Sequence, residues 1–293
     1  MSQKSNEVRR SARERMQEER AAQEAKAKRL RTFGIIGTVL AVLVVAVVVG
    51  VLVQNGRSSS YKASDAPAGV LSSNSLVIPV GAAAAPSTLT VYEDPRCPAC
   101  GEFEKSFHGT VNQLLSQGKI KVQYHVVSFI DRHDQGKGSK NAANALACAQ
   151  DVGKFHNFHD VVYANQPDET DDAWADKGAL ITLAKQVPGL DTPAFESCVN
   201  GNSFGSWVTA VQTDFDKSGY TSTPTILLNG TSAYPTYNGA EISAANLISW
   251  VDAANKGKTP AVLTPASAKA LASPTAGNNP AAASGSASAS STG

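Results

Sequence analysis

The segment Leu89-Thr90-Val91-Tyr92-Glu93-Asp94-Pro95-Arg96-Cys97-Pro98-Ala99-Cys100 decides the fold, because it leads from a strand through a turn into a helix. The apolar, β-branched and aromatic residues of Leu89–Tyr92 predict the strand. A helical pattern begins at Pro98 and runs to about Leu115, with apolar residues recurring on one face. Proline is tolerated in the first turn of a helix, so the sequence predicts that Cys97 lies where this helix begins.

The spacing of Cys97 and Cys100 fits thiol–disulfide exchange, which needs an attacking thiolate and a second thiol that resolves the mixed disulfide. The free N–H groups and the positive dipole end of a helix N-terminus stabilise a thiolate. Two intervening residues place the second sulfur one turn further on, and Arg96 would add positive potential beside Cys97. We therefore predict that Cys97 is the nucleophile and Cys100 the resolving thiol.

Other uses of the cysteines stay open at this point. A zinc site usually needs four ligands, whereas Cys148 and Cys198 each stand alone in the sequence. An inert structural disulfide between Cys97 and Cys100 is a second alternative. His156 and His159 could share a ligand face, but their apolar neighbours favour a packed helix, and we interpret the acidic run 168–172 as a solvated loop. The sequence predicts no metal and no cofactor.

The folded body is predicted over 76–256 and is of the α/β class. The alternation of Lys119–Tyr124 indicates a half-buried strand, and helical patterns fill 138–217. Thr225–Leu228 is predicted as a short buried strand that turns at Asn229-Gly230, a strong hairpin signal. Ala244–Ala254 is predicted as the closing helix.

This arrangement resembles the DsbA-like thioredoxin proteins, and within them the membrane-tethered, extracytoplasmic branch. The resemblance is carried by Asp94–Cys100, by the helical insert and by Ser222-Thr223-Pro224-Thr225, and it covers about Leu76 to Lys256. It implies a thioredoxin fold with a helical domain, at about 128–218, inserted between core strands. It also implies that the chain oxidises, reduces or isomerises disulfides in exported proteins.

The resemblance assigns roles residue by residue. Cys97 matches the attacking cysteine and Cys100 the resolving one, while Pro224 matches the cis-proline that faces the disulfide, with Thr223 before it. Some relatives carry a second disulfide in the insert, which implies a structural bridge between Cys148 and Cys198; two buried free thiols are the alternative.

One departure from the family pattern bears on the direction of the reaction. The strongest oxidants carry His where this chain has Ala99, and such a His can stabilise the thiolate. Pro98 favours oxidation, which we predict, with a reductase or isomerase as the alternative.

The expected partners are exported cysteine-containing proteins and a quinone-linked membrane thiol oxidase that reoxidises the site. A tethered binding module without turnover is an alternative of another class.

Glu93 and Asp94 directly follow the predicted strand. A surface turn is one interpretation. The other is proton transfer to or from Cys100, since a partly buried carboxylate can accept a proton from a nearby thiol.

Phe33–Val53 is a run of 21 residues without a charge, in which Thr38 is the only polar side chain. As a helix it would span about 30 Å, the thickness of a bilayer core. Five Lys/Arg lie in 18–32 and only two in 54–68, so the positive-inside rule places the N-terminus in the cytoplasm. We predict a single-pass anchor over 33–53, with the catalytic domain outside the cell membrane. A cleaved signal peptide is the alternative.

The flanking segments are distinguished by composition. Residues 1–32 carry 10 Lys/Arg and 5 Asp/Glu, a net charge of +5, and the rest of the chain carries 16 and 20, a net charge of −4. A basic cytoplasmic tail and a slightly acidic body do not indicate nucleic-acid binding. Residues 54–75 are predicted to be a flexible linker. The tail 257–293, rich in Ala, Ser, Pro and Thr, is predicted to be disordered.

Overall fold

The computed structural model describes residues 66–71 and 75–271 of the chain. The predicted cytoplasmic tail 1–32 and membrane anchor 33–53 lie outside the described residues. Within 66–71 and 75–271, no helix is long and apolar enough to cross a membrane.

Five strands form one mixed sheet in the order β1-β3-β2-β4-β5. Strand β2 pairs parallel with β3, and the other neighbours pair antiparallel. A separate hairpin is formed by β6 and β7. The strands are β1 (Ile78–Gly81), β2 (Ser87–Glu93), β3 (Ile120–Val126), β4 (Thr225–Leu228), β5 (Thr231–Ser232), β6 (Thr236–Tyr237) and β7 (Ala240–Glu241).

Nine helices are found in the described part of the chain, besides a short 3-10 turn at Ala173–Ala175. They are α1 (Pro98–Ser116), α2 (Ile130–His133), α3 (Gly138–Asp151), α4 (Phe155–Ala164), α5 (Lys177–Ala184), α6 (Pro193–Gly201), α7 (Gly205–Lys217), α8 (Ala244–Ala254) and α9 (Pro265–Leu271). Between β3 and β4 the chain is helical and contains no strand. The structure therefore has a thioredoxin-like sheet with a helical insert.

Helices cover both faces of the sheet. On β3, the Tyr124 ring contacts Phe155 of α4, and the next residue, His125, stacks on Tyr92. Tyr92 in turn contacts Phe215 of α7. Because successive strand residues point to opposite faces, α4 and α7 lie on opposite sides of the sheet.

The structure confirms the predicted elements whose whole pattern lies within a short stretch of sequence. The predicted strand Thr225–Leu228 and the predicted helix Ala244–Ala254 have these bounds in the structure. Asn229 and Gly230 form the β4–β5 turn with φ of 51° and 84°, the left-handed conformation that this residue pair accepts. The edge strand β1 was not predicted. Helix α6 lies within 138–217, which was predicted to be helical, although no separate helix was assigned there.

The predicted disorder of 257–293 is wrong for the part of this tail that the structure describes, 257–271. The Ala261 N–H donates to the Gly118 carbonyl at 2.9 Å, and Leu271 packs against the core. Helix α9 begins after Thr264, whose hydroxyl accepts from the Ser267 N–H at 3.1 Å. A capping Thr before a Pro starts a helix even in a sequence of low apolar content.

The predicted linker 54–75 also contacts the domain where it is described. The Ala68 N–H donates to Asp151 at 2.9 Å, and the Ser75 carbonyl accepts from Trp207 Nε1 at 3.0 Å. These contacts hold 66–71 and Ser75 against the helical insert, so this part of the linker is not a free spacer.

Candidate active site

Cys97 caps the N-terminus of α1, with φ −71° and ψ 119°. Its N–H donates to the Asp94 carbonyl at 2.9 Å, which closes the turn between β2 and α1. The N–H groups of Cys100 and Gly101 both donate to the Cys97 carbonyl at 3.1 Å and start the helix. Both cysteines are free thiols, 6% and 1% exposed respectively. Cys97 is thus the more accessible of the two residues.

The two thiols have opposite pKa shifts. A hydrogen bond from Cys100, a contact with Thr223 and the N–H groups of Ala99 and Cys100 together lower the pKa of Cys97 to about 6, against the effect of burial. Burial and the Cys97 sulfur raise the pKa of Cys100 well above its usual value, with a further contribution from Glu93. At neutral pH the site therefore holds one thiolate, on Cys97, and one thiol, on Cys100.

Thr223 and Pro224 face the cysteines from the loop that leads into β4. The peptide bond between them is cis, and the Cys97 sulfur lies 3.3 Å from the Thr223 carbonyl oxygen, to which it can donate only when it is protonated. Beside them lies a cavity of about 350 Å³ that also contacts Ala99. Its walls carry uncharged residues and many hydroxyl groups: Tyr220, Thr221, Ser222, Thr225, Leu227, Ser232, Tyr234 and Pro235.

Asp94 is fully buried in the turn before the cysteines. One of its oxygens accepts from the N–H of Arg96 and the hydroxyl of Ser139, and the other accepts from the N–H of Ile130, all at 2.8 Å. Its own N–H lies 3.5 Å from the Cys100 sulfur. Burial raises the pKa of Asp94 to about 7, although these hydrogen bonds oppose the shift. The surface-turn interpretation of Asp94 is therefore wrong.

Arg96 does not have the predicted position beside the Cys97 sulfur. Its guanidinium lies 3.0 Å from Asp131 and 3.1 Å from Asp172, and it donates to the Glu169 carbonyl at 2.7 Å. Its positive charge is neutralised by acidic residues of the helical insert. Arg96 thus ties the active-site turn to the insert, because a buried guanidinium requires such partners.

Gln166 is a site residue that sequence reasoning missed. Its amide nitrogen donates to the carbonyls of Pro95 and Cys97, at 2.7 and 2.9 Å. A Cβ on Gly101 would lie 2.0 Å from the Gln166 side-chain oxygen, so any other residue at this position would displace the Gln166 side chain. Nothing in the sequence near Gln166 signals this contact, because it depends on how the insert folds over the turn.

Glu93 is also buried, so the surface-turn interpretation of this residue is wrong as well. Its Oε1 lies 2.8 Å from His159 Nε2. Glu104 lies in the same cluster, and burial raises its pKa to about 8. Burial alone would lower the pKa of His159, but the neighbouring acids, Glu93 foremost, raise it well above its usual value. These are the described residues that could hold a metal ion, and the sequence did not predict them as a group.

Cys148 and Cys198 form a disulfide with an S–S distance of 2.02 Å. The bridge joins α3 to α6 within the insert and spans 50 residues of sequence. The alternative of two buried free thiols is excluded by this bond. His156, predicted to pack rather than to bind metal, is 5% exposed and lies in α4 with His159.

Comparisons with known proteins agree with this geometry. A family model described as "Thioredoxin" matches residues 73–252, more than half of the chain. Disulfide bond formation protein D of Bacillus subtilis is 28% identical over 148 residues, covering 50% of this chain and 64% of that protein. The serine/threonine-protein kinase PknE of Mycobacterium tuberculosis is 24% identical over 132 residues, covering 43% of this chain and 23% of the kinase. This chain thus matches less than two thirds of the length of these relatives.

Among solved structures, that of reduced DsbA from Mycobacterium tuberculosis superposes with a TM-score of 0.52 at 25% identity. The match covers 69% of this chain and 100% of that one. The similarity extends over the described sheet and its insert together.

Proposed function

Because this chain belongs to the DsbA-like branch of the thioredoxin family, we propose that it is a thiol–disulfide oxidoreductase of exported proteins. The observation that carries the proposal is the unequal pair of thiols. A sulfur whose pKa is near 6 stands at a helix start, and a sulfur with a raised pKa lies one turn deeper. Such a pair supplies both a good leaving group and a protected resolving thiol.

The proposed reaction begins with the Cys97–Cys100 disulfide. A substrate thiolate attacks the Cys97 sulfur; the substrate–Cys97 bond forms, and the Cys97–Cys100 bond breaks. Cys100 leaves as a thiolate and takes up a proton. A second substrate thiolate then attacks the substrate sulfur of the mixed disulfide, which closes the substrate disulfide and releases Cys97 as a thiolate. Two electrons pass from the substrate to the protein.

The low pKa of Cys97 favours this direction. It makes Cys97 a good leaving group in the second step, and it stabilises the reduced protein relative to the disulfide. A protein whose reduced form is stabilised is an oxidant. The strongest oxidants of the family carry His where this chain has Ala99, so the chain is expected to be a weaker oxidant. Ala99 therefore also favours a second candidate function, that of a disulfide reductase or isomerase.

Of the two acids, Asp94 has a pKa near neutrality, about 7, which suits an exchange of protons with Cys100. Its backbone N–H lies 3.5 Å from the Cys100 sulfur, so the residue, though not its carboxylate, contacts that thiol. Glu93 is paired with His159, and its charge helps keep Cys100 protonated. We assign proton transfer to Asp94 and an electrostatic role to Glu93.

Thr223 and Pro224 are proposed to position the substrate. The Thr223 carbonyl is within hydrogen-bond distance of Cys97, so a segment that lies along this loop would bring its own cysteine to the reactive sulfur. The neighbouring cavity has no charged wall, which suits substrates with uncharged residues next to their cysteine.

The domain is further proposed to face the outside of the cell membrane, held by an anchor at 33–53 and reoxidised by a quinone-linked membrane thiol oxidase. The uncharged run of 21 residues and the charge difference across it support this placement. Protease added to spheroplasts should remove the chain beyond Val53. Full protection would contradict the anchor, and a mature N-terminus near residue 69 would favour a cleaved signal peptide.

The reduction potential tests the proposed function. Full-length protein is equilibrated with glutathione mixtures, and the Cys97–Cys100 pair is read by mass spectrometry after alkylation. Strong oxidants of this kind have a reduction potential of about −120 mV, and thioredoxin has one of about −270 mV. If the protein is an oxidant, its potential should lie nearer the first value. A value near the second figure would favour the reductase, and the absence of a cysteine-dependent redox transition would refute both.

A further inference from the structure

Three side chains of metal-ligating type meet near the redox cysteines, each from a different element. Glu93 ends β2, Glu104 lies in α1 and His159 lies in α4. One carboxylate oxygen of each Glu and one ring nitrogen of the His all lie within 4.8 Å of one another. Their exposed fractions are 1%, 7% and 1%. Because the sheet and the core fix all three elements, these ligand atoms are held together in advance.

Two polar atoms at this cluster have no hydrogen-bond partner among the residues that the structure describes. Glu93 uses Oε1 to bind His159, whereas its Oε2 is one of these two atoms. The other is the hydroxyl of Tyr163, a residue that is 9% exposed. The Tyr163 ring lies 4.8 Å from that of His159, and its hydroxyl interacts electrostatically with Glu93 and Glu104. Since buried polar atoms almost always have a partner, these two atoms point to a ligand at the cluster.

His159 has a carboxylate near each of its two ring nitrogens. Its Nε2 faces Glu93, and its other ring nitrogen lies 3.8 Å from the Asp160 carboxylate. Histidines that bind metal commonly have the second ring nitrogen held by a carboxylate, which fixes the ring and its tautomer. Asp160 lies 3.4 Å from His108 Nδ1, so the orienting carboxylate is itself positioned.

The chemistry of the three groups selects the kind of ion. Two carboxylates are neutralised by one divalent cation, which removes the cost of burying their charges. Calcium and magnesium prefer sites made of oxygen alone, whereas an imidazole nitrogen suits first-row transition metals. Manganese and zinc therefore fit a site with two carboxylates and one histidine.

We propose that Glu93, Glu104 and His159 bind one divalent first-row transition-metal ion, and that Asp160 orients His159 for this role. Neither Cys97 nor Cys100 belongs to the ligand set. The two proposals share Glu93, whose charge raises the pKa of Cys100, but each has its own test and can fail without the other.

Equilibrium dialysis of the full-length protein tests this site. The Cys97–Cys100 pair is first oxidised to the disulfide, so that no thiol binds metal, and the protein is dialysed against manganese chloride or zinc chloride. Elemental analysis should find about one ion per chain, and the melting temperature should rise with the concentration of the metal. Absence of binding by the wild-type protein at millimolar metal would overturn the proposal.

Glu104→Gln and Glu102→Gln form a matched pair of variants. Both lie in α1, but Glu102 is exposed and pairs with Lys105 on the surface. Glu104→Gln should weaken binding at least about tenfold, and Glu102→Gln should leave it unchanged. Equal affinity in the two variants would overturn the proposal. If Glu104→Gln fails to fold, Asp160→Asn leaves all three ligands in place and should weaken binding about 10- to 100-fold.

Discussion

The two cysteine pairs of this domain have the same side-chain chemistry and opposite states. Cys97 and Cys100, at the start of α1, are free thiols, whereas Cys148 and Cys198 are joined in a disulfide across 50 residues. Burial does not separate the pairs, since Cys100 is 1% and Cys148 2% exposed. The difference lies in what surrounds each sulfur.

Cys97 stands where helical N–H groups have no partner within the helix, and a second thiol lies one turn away. Cys148 lies inside α3, where the backbone N–H groups are used by the helix itself. Its partner comes from another helix, so the bond joins two parts of the insert. The position of a cysteine within a helix therefore separates a reactive sulfur from a structural one.

The largest expected effect is on turnover. Cys97→Ser should reduce insulin reduction to background, about a thousandfold or more below the wild-type rate, because the reactive sulfur is lost. The double variant Cys148→Ala/Cys198→Ala should keep most of the activity. If the double variant loses as much activity as Cys97→Ser while still folded by circular dichroism, the contrast between the pairs is wrong.

The free energy of unfolding should depend more on the Cys148–Cys198 bridge than on the Cys97–Cys100 pair. Opening the Cys148–Cys198 bridge frees a loop of 50 residues, worth up to about 4 kcal/mol of unfolding free energy in the chain-entropy model. Chemical denaturation of the double Ala variant measures this loss. The control is Cys97→Ser/Cys100→Ser compared with the oxidised wild type, where the loop is only a few residues and the loss should be smaller. Equal losses would contradict the structural role of the bridge.

The sequence predicted the position of Cys97 and Cys100 at the start of α1 because all of its determinants are local. A strand, a turn and a proline at the helix start lie within twelve consecutive residues, Leu89–Cys100. The same holds for β4 and its Asn229-Gly230 turn. The edge strand β1 was missed because it is short, contains Pro79 and is fixed by antiparallel pairing to β3, which no local pattern records.

The surroundings of the pair could not be predicted in the same way. The partners of Arg96 come from the insert, so its orientation away from the Cys97 sulfur depends on tertiary packing. The cluster of Glu93, Glu104 and His159 likewise joins residues up to 66 positions apart. One signal was present: Glu104 interrupts the otherwise apolar face of α1, between Phe103 and Phe107.

Alkylation by iodoacetamide should separate the two thiols of the reactive pair. In reduced protein, labelling of Cys97 should rise with pH around a midpoint of about 6, while Cys100 stays largely unlabelled at neutral pH. We expect a rate ratio of about a hundredfold at pH 7, read by mass spectrometry. An ordinary thiol has a pKa of about 8.5. A labelling midpoint of Cys97 near that value, or faster labelling of Cys100, would contradict the proposed nucleophile.

The lowered pKa of Cys97 also makes the stability of the reduced protein depend on pH. The pKa of Cys97 is depressed in the folded protein, so its contribution to the stability of the reduced protein is fully present above the unfolded pKa of about 8.5. It is lost as the pH falls through about 6. Reduced wild-type protein should therefore lose stability relative to Cys97→Ser between pH 8.5 and 6, measured by urea denaturation. A difference that does not change with pH would contradict the low pKa.

The smallest expected effect comes from restoring the residue that the strongest oxidants of the family carry. Ala99→His places an imidazole on the exposed first turn of α1, next to the Cys97 sulfur. It should lower the pKa of Cys97 by up to about one unit, or about 1.4 kcal/mol in favour of the thiolate, and raise the reduction potential. Gln113→His, exposed near the other end of the same helix, is the control and should change neither value. If both variants behave alike, the effect is not specific to the helix start, and the contrast between the two cysteine pairs must rest on the contacts with Cys100 and Thr223 instead.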